Sequence, residues 1–228
     1  MSYPGLGDRL AAIRRQIETR QQLRGWTHPV TIVAVTKTHG PDAVLAALDA
    51  GLSAVGENRV QEALGKQATV TDPRVQWHLI GSLQSNKARQ AVGKFALIHS
   101  VDRIELASEL ARRAAPGTRQ AILLQVNCSD EPQKGGAEPA ALGELLERVS
   151  GLETLDVRGL MTMAELTEDE GRQRAAFGRL RELQQQMQDK GYALPELSMG
   201  MSGDYGVAVE EGATMVRLGT LLFGERGT

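Results

Sequence analysis

The amino-acid sequence predicts an α/β protein, a single (β/α)8 TIM-type barrel covering residues 1–228 with one extra helix at its N-terminal end. Three observations carry that expectation. From residue 30 onward short apolar strands alternate with helical patterns, and repeated strand–helix–strand units imply parallel pairing through right-handed crossovers. Eight such units occur, the number that closes a barrel. No Gly-x-Gly-x-x-Gly follows the first strand, which weighs against the alternative, an open doubly wound sheet.

The elements follow in chain order. Residues 5–24 read as an amphipathic helix, because Leu6, Leu10, Ile13, Ile17 and Leu23 form an apolar stripe with arginine and glutamine opposite. The first strand, 30–36, is the β-branched run Val30-Thr31-Ile32-Val33-Ala34-Val35-Thr36. Further strands are expected at 53–55, 76–80, 96–99, 120–126, 155–160, 195–198 and 214–217. Helices are expected near 41–50, 58–68, 84–93, 102–115, 138–150, 168–190 and 204–211, with a short one from 219. No linker rich in proline, glycine or serine divides the chain. The longest loop candidate runs from Ser129 to Pro139, where Asp-Glu-Pro and Lys-Gly-Gly favour irregular structure.

Composition excludes several function classes. A chain of 228 residues buries roughly 70–75% of its unfolded surface and needs no staple. A formal net charge of -2 gives no ground for a nucleic-acid or membrane-surface partner. The one cysteine, Cys128, leaves no disulfide framework and fits a reducing compartment. The N-terminus shows no apolar leader and no 18-residue apolar run occurs, so a soluble cytoplasmic protein is expected. His28, His39, His78 and His99 show no metal-ligand spacing with one another or with Cys128, so no metal is expected. His78 reads as a structural histidine and Cys128 as a buried inert thiol. Glu57 and Glu62 read as capping or solvated residues at a helix start, and the Glu165 to Arg174 charge run as a loop and a solvated helix face.

Chemistry concentrates at strand ends. Lys37 follows the first strand, where a barrel delivers its side chain to the mouth of the C-terminal face. Desolvation disfavours an ammonium, so a lysine placed there can lose its proton near neutral pH and attack an aldehyde, the chemistry of a Schiff base. A lysine that caps a strand and reaches solvent would carry the same sequence. Two backbone-rich loops lie further on. Leu197-Ser198-Met199-Gly200-Met201-Ser202-Gly203-Asp204-Tyr205 follows the seventh strand and opens the next helix, with Ser202 or Asp204 as its cap. Val216-Arg217-Leu218-Gly219-Thr220 runs from the eighth strand into Leu221-Leu222-Phe223-Gly224. Glycines let backbone amides approach an anion, and phosphate sites after strands seven and eight recur in these barrels. Arg217 stands between this cup and Lys37. A ligand with an aldehyde and a phosphate on one aromatic ring spans all three, and pyridoxal 5′-phosphate is such a ligand. An arginine facing its ring nitrogen keeps that nitrogen unprotonated and makes the ring a weak electron sink.

Several runs together resemble one family. They are Ala34-Val35-Thr36-Lys37-Thr38, Gly56-Glu57-Asn58-Arg59-Val60-Gln61-Glu62, His78-Leu79-Ile80-Gly81-Ser82-Leu83-Gln84-Ser85-Asn86-Lys87, Gly159-Leu160-Met161-Thr162-Met163, Leu197 to Ser202, and Met215 to Gly224. They span nearly the whole chain, and the sequence resembles the pyridoxal phosphate homeostasis family, small relatives of the alanine racemase N-terminal domain. The resemblance implies that Lys37 forms the internal aldimine and that Ser198, Gly200, Ser202, Gly219 and Thr220 cradle the phosphate. It implies that Arg217 faces the pyridine nitrogen and that Asn58 lies near the ring. It also implies a monomer without an established reaction, which buffers, carries or hands over the cofactor, with apo pyridoxal-phosphate enzymes as recipients.

Two departures from the family pattern matter. His39 and Gly40 stand where the family often has a lysine and a proline, so an accessory anchor there passes to protonated His39 or is lost. Arg59 stands where many bacterial members carry a tyrosine. Lys134 keeps the family's loop lysine, as a second cofactor contact or a solvated side chain. Two rival functions share the same residues. An amino-acid racemase needs a second base, which in alanine racemase is a tyrosine of the partner's C-terminal domain; residues 1–228 are expected to lack that domain, and Tyr3, Tyr192 and Tyr205 have no clear claim to the role. A Schiff-base aldolase would use Lys37 directly on a sugar phosphate.

Overall fold

The computed structural model describes residues 3–129, 131 and 134–224. Asp130, Pro132 and Gln133 of the expected 129–139 loop lie outside the described residues. Helix α1 (Leu6–Gln22) precedes eight strand–helix units: β1 (Thr31–Val35), α2 (Pro41–Asp49), β2 (Ala54–Glu57), α3 (Val60–Thr69), β3 (Gln76–Leu79), α4 (Ala88–Ala91), β4 (Leu97–Val101), α5 (Ile104–Arg113), β5 (Gln120–Gln125), α6 (Leu142–Ser150), β6 (Leu155–Met161), α7 (Glu170–Asp189), β7 (Glu196–Met201), α8 (Tyr205–Glu210), β8 (Met215–Leu218) and α9 (Thr220–Phe223). Each strand pairs in parallel with the next, and β8 pairs with β1, so the sheet closes into the expected barrel. Helix α1 packs against α8 and α9, where Arg9 Nε donates to the Leu222 carbonyl at 2.9 Å. Among the described residues, no helix is long and apolar enough to cross a membrane.

Strand alternation decides what faces inward. On β5, Ile122 and Leu124 join the main core under the helices, whereas Ala121 and Leu123 belong to a separate small cluster with Leu97, Met161 and Met215. That cluster is the apolar floor of the barrel. One step along the same inward rows the residues turn polar: His99 follows Leu97 by two, and Arg217 follows Met215 by two. Ser198 on β7 and His78 on β3 share this layer, while their neighbours Leu197, Met199, Trp77 and Leu79 pack outward. On β1 the inward row is Val33, Val35 and then Lys37, just past the strand.

The structure shifts several sequence expectations. Leu23 does not join the α1 stripe: the helix stops at Gln22, Gly25 turns back at φ 71°, and Leu23 is left 68% exposed. The expected 84–93 helix becomes a 3-10 turn, Ser85–Lys87, followed by the four-residue α4, which Gly93 ends at φ 71°. Another 3-10 turn, Pro139–Ala141, replaces the start of the 138–150 helix. Strand β7 continues to Met201, so much of the expected 197–205 loop is strand. Its register against β8 shifts between Ser198 and Met201, and Gly200, at φ 91°, supplies the bulge. The 165–174 charge run is only partly solvated, since Arg174 reaches across to Glu210 at 2.6 Å and Glu211 at 2.8 Å, at the C-terminal end of α8.

Strand β6 is pinned to β7 at Gly159. A Cβ there would lie 1.9 Å from the Glu196 carbonyl oxygen, whereas one at Gly143 in α6 would meet nothing. Gly159→Ala therefore destabilises the fold by at least about 2 kcal/mol through overpacking. Gly143→Ala is neutral or stabilising by up to about 1 kcal/mol. Urea unfolding midpoints of the two variants check the contrast.

Candidate functional site

A cavity of about 400 Å³ opens at the C-terminal mouth of the barrel, above the polar layer. Lys37, Asn58, Ser202, Arg217, Gly219 and Thr220 all line it, so the structure brings these sequence candidates together from β1, β2, β7 and β8. Gly81 lets the β3 end approach the β2 end: a Cβ on it would lie 2.2 Å from the Asn58 carbonyl oxygen. Met163, Glu165, Leu166 and Thr167, between β6 and α7, form the opposite rim, with Leu166 94% exposed. Among the described residues no tyrosine lines the cavity; the Tyr205 hydroxyl donates to Gln16, and Tyr3 meets the His39 ring.

Arg217 is the charged centre of the polar layer on which the cavity rests. It is 4% exposed, and burial lowers its pKa to about 10, which leaves it protonated at neutral pH. Its Nη2 donates to the Thr162 carbonyl at 3.0 Å and its Nη1 to Ser198 Oγ at 2.8 Å. Ser198 Oγ lies 2.9 Å from His99 Nδ1, and His99 Nε2 lies 3.0 Å from His78 Nδ1. The proton positions along this chain follow from the donor inventory. Arginine only donates, so the serine hydroxyl turns its proton to His99 Nδ1. His99 then carries its proton on Nε2 and donates to His78 Nδ1. Both rings are neutral: burial holds His99 well below the usual histidine range, helped by His78 and Arg217, and lowers His78 to about 4. Ser198 is therefore buried under the cavity rather than part of its lining, and it meets the site through Arg217.

The anion end is built from backbone. Ser202 Oγ lies 3.4 Å from the Gly219 amide and 3.5 Å from the Leu221 amide, both at the long limit of a hydrogen bond, so these amides point at one place with weak partners. Ser202 thus serves the 219–221 turn and does not cap α8. Asp204 stands at the α8 cap position, but its carboxylate turns back to accept the Met201 amide at 2.5 Å. Burial pushes its carboxyl upward against the pull of that amide and of Arg217. Gly200 is not in the lining; a Cβ there would meet Ala208 Cβ at 2.6 Å, so it keeps α8 close to β7.

Around Lys37 the structure overturns one expectation outright. Glu57 is neither a cap nor solvated: it is fully buried, 2.7 Å from Lys66 Nζ, and accepts the Thr36 hydroxyl. Burial pushes its carboxyl up, against Lys66 and Thr36. Glu62 binds Lys66 at 3.2 Å and the Thr38 amide at 2.6 Å. Lys66, His99 and Thr162 had no signal as site residues, since charge and polarity in a sequence do not report burial. The accessory positions lie outside the lining. Lys134 pairs with Glu131 at 2.6 Å and donates to the Ala164 carbonyl, and His39 stacks edge-on against Tyr3 and packs against Phe223. Arg59 is exposed at the N-terminal end of α3. Among the described residues no group of histidine, cysteine and carboxylate side chains could hold a metal.

The family described as alanine racemase, N-terminal domain, matches residues 9–227. The pyridoxal phosphate homeostasis protein of Aquifex aeolicus is 46% identical over 86% of this chain and 86% of its own length. The protein of the same name from Pseudomonas aeruginosa is 44% identical over 97% of this chain and 96% of its own. Among solved structures, PipY of Synechococcus elongatus PCC7942 with PLP bound is 42% identical, with a TM-score of 0.85, and the match covers 96% of this chain and 100% of that one.

The neutral histidine pair has a signature in acid. Between about pH 4 and 6.5 an unfolded His78 binds more protons than the buried one, so its contribution to stability rises with pH and is lost as pH falls through that window. His78→Gln removes that penalty. Relative to the variant, wild-type protein loses about 1.4 kcal/mol per pH unit below about 6.5. Glu57 and Asp204, whose carboxyls are raised, titrate in the opposite sense and cancel in the difference. Denaturant unfolding of both proteins from pH 7 to 4.5 measures it.

Proposed function

The chain belongs to the pyridoxal phosphate homeostasis protein family, and we propose that it binds pyridoxal 5′-phosphate at Lys37 and holds it for delivery rather than catalysing a reaction with it. The observation that carries this reading is one cavity lined by a lysine amine, a buried guanidinium and convergent backbone amides. The cavity volume, about 400 Å³, lies in the range that takes a small cofactor. When bound, the cofactor supplies an aldehyde for an amine, a phosphate, and a pyridine ring that can draw electrons.

Each part has a residue to meet it. Lys37 Nζ is the amine that captures the aldehyde. Ser202, Thr220 and the amides of Gly219 and Leu221 form the phosphate cup, and the weak partners those amides now have leave them free to turn to an anion. Gly200 and Ser198 support that cup from beneath, the first by close packing and the second through Arg217. Asn58 borders the ring. Arg217, charged and already fixed by Ser198 and Thr162, keeps a facing ring nitrogen free of a proton, because two positive charges in a buried site repel. That favours holding over catalysis.

We further propose a cytoplasmic monomer that passes the cofactor to apo pyridoxal-phosphate enzymes. Cys128 is buried and suits a reducing compartment. Among the described residues the large exposed apolar side chains are Leu23, Leu45 and Leu166, each on a different element: past the end of α1, in α2 and between β6 and α7.

Purified protein is expected to absorb in the near-ultraviolet to violet with bound cofactor, and borohydride is expected to fix the cofactor mass on Lys37. Lys37→Ala loses the covalent adduct; full adduct occupancy in that variant would sink the assignment. Mixed with an apo pyridoxal-phosphate enzyme, the loaded protein restores that enzyme's activity. Racemisation of alanine or serine at ordinary enzymatic turnover would overturn the non-catalytic reading, and colourless protein that cleaves a sugar phosphate would point to the aldolase.

A further inference from the structure

The two glutamates of the Gly56–Glu62 run take no part in the reading above, and neither they nor Lys66 line the cavity. Their contacts converge on the residues either side of Lys37. The Thr36 hydroxyl donates to Glu57 Oε1. Lys66 Nζ donates to the Thr36 carbonyl at 2.7 Å, to Glu57 Oε1 at 2.7 Å and to Glu62 Oε1 at 3.2 Å. Glu62 Oε1 accepts the Thr38 amide at 2.6 Å. The peptide units before and after Lys37 are thus both tied to the same ion cluster.

Two details argue that the cluster serves geometry. An ammonium has three protons, and Lys66 has an acceptor for each, so its position is fully specified. A buried ion pair is weak evidence for stability, because apolar residues of similar volume often hold a fold as well. What apolar residues cannot supply is a directed bond to a carbonyl and an amide. Thr38 also sits at φ 68°, among the described residues the one non-glycine in the left-handed region, and a β-branched residue rarely adopts it unaided. Its amide bond to Glu62, together with the His39 amide donating to the Thr36 carbonyl at 3.0 Å, holds the chain in that turn.

We propose that Glu57, Lys66 and Glu62 are positioning residues for Lys37, fixing the turn that aims its amine into the cavity. The proposal rests on the reading that Lys37 captures the cofactor aldehyde, since that step needs an amine held in one direction.

Glu62 is the decisive position, because its side chain is 27% exposed and its replacement leaves the Glu57–Lys66 pair whole. Three quantities are measured on Glu62→Ala and Glu62→Gln: the pyridoxal phosphate dissociation constant, the pH profile of Lys37 reductive methylation in the apo protein, and the apo melting temperature. Glu62→Ala is expected to weaken cofactor binding by about tenfold or more and to displace the methylation profile. Glu62→Gln keeps an acceptor oxygen for the Thr38 amide and is expected to stay within about threefold of wild type. Lys66→Met should behave like Glu62→Ala; if the unpaired Glu57 prevents its folding, the Glu62 pair decides alone. Wild-type affinity and methylation profile in Glu62→Ala overturn the proposal. Retention of the adduct in Lys37→Ala overturns the reading beneath it, so the two failures are told apart.

Discussion

A closed ring of parallel strands leaves each strand only every second residue for the interior, and most of the site follows from that constraint. The inward rows run from an apolar floor of Leu97, Leu123, Met161 and Met215, through a polar layer, to the open mouth. A residue's place along its row then decides its chemistry. Two positions above Met215 is Arg217, and two above that is Gly219 with its amide at the rim. Val33 and Val35 fill the interior, and the next inward position on β1 is Lys37. The cationic groups of the site are therefore delivered by register from strands that lie side by side, with Val33 paired against Arg217.

Placing a guanidinium inside the barrel carries a desolvation cost that neighbours must offset. The polar layer does so with neutral groups: a backbone carbonyl from Thr162, a serine hydroxyl, and behind it two uncharged histidines. Asp204 contributes at the mouth, but its carboxylate is spent on the Met201 amide. The arrangement is self-consistent. Arg217 repels a proton on His99, and a neutral His99 is what lets Ser198 turn its own proton away and accept from Arg217. A carboxylate in place of Ser198 would neutralise the centre and remove the repulsion that opposes a second positive charge above it.

The barrel was legible in the sequence because hydrophobic periodicity reports which faces are buried, and eight strand–helix units leave few ways to close. The placement of Lys37, Arg217 and the 219–220 turn at one cavity was legible for a related reason: Lys37 and the turn follow apolar strands and Arg217 lies at the end of one, and a barrel gathers its strand ends at one mouth. What stayed hidden depends on three-dimensional pairing. Glu57 reads from the sequence as a capping or solvated residue and Lys66, nine residues on, carries no signal of its own, since charge in a sequence does not report burial. His78 and His99 lie on adjacent strands, and only the β3–β4 register brings their rings together. Ser198 ends the expected 195–198 strand and also falls in the expected 197–205 loop, so the sequence leaves its direction open. The chain instead continues as strand through a bulge at Gly200; Ser198, in regular register before the bulge, is buried beneath the cavity, and Ser202, just past the strand, lines it.

Two buried polar assemblies thus flank one cavity, and no residue belongs to both. Glu57, Lys66 and Glu62 act on the backbone either side of Lys37, from β2 and α3. Ser198, His99 and His78 act on the Arg217 side chain, from β7, β4 and β3. They differ in kind as well as place. The first is ionic and fixes a main-chain turn; the second is neutral beyond Arg217 and fixes a side chain while preserving its charge. Groups with no shared partner perturb a protein independently unless something bridges them. A ligand held at one end by Lys37 and facing Arg217 with its ring would be such a bridge, so coupling between the two assemblies belongs to the loaded protein and not to the fold alone.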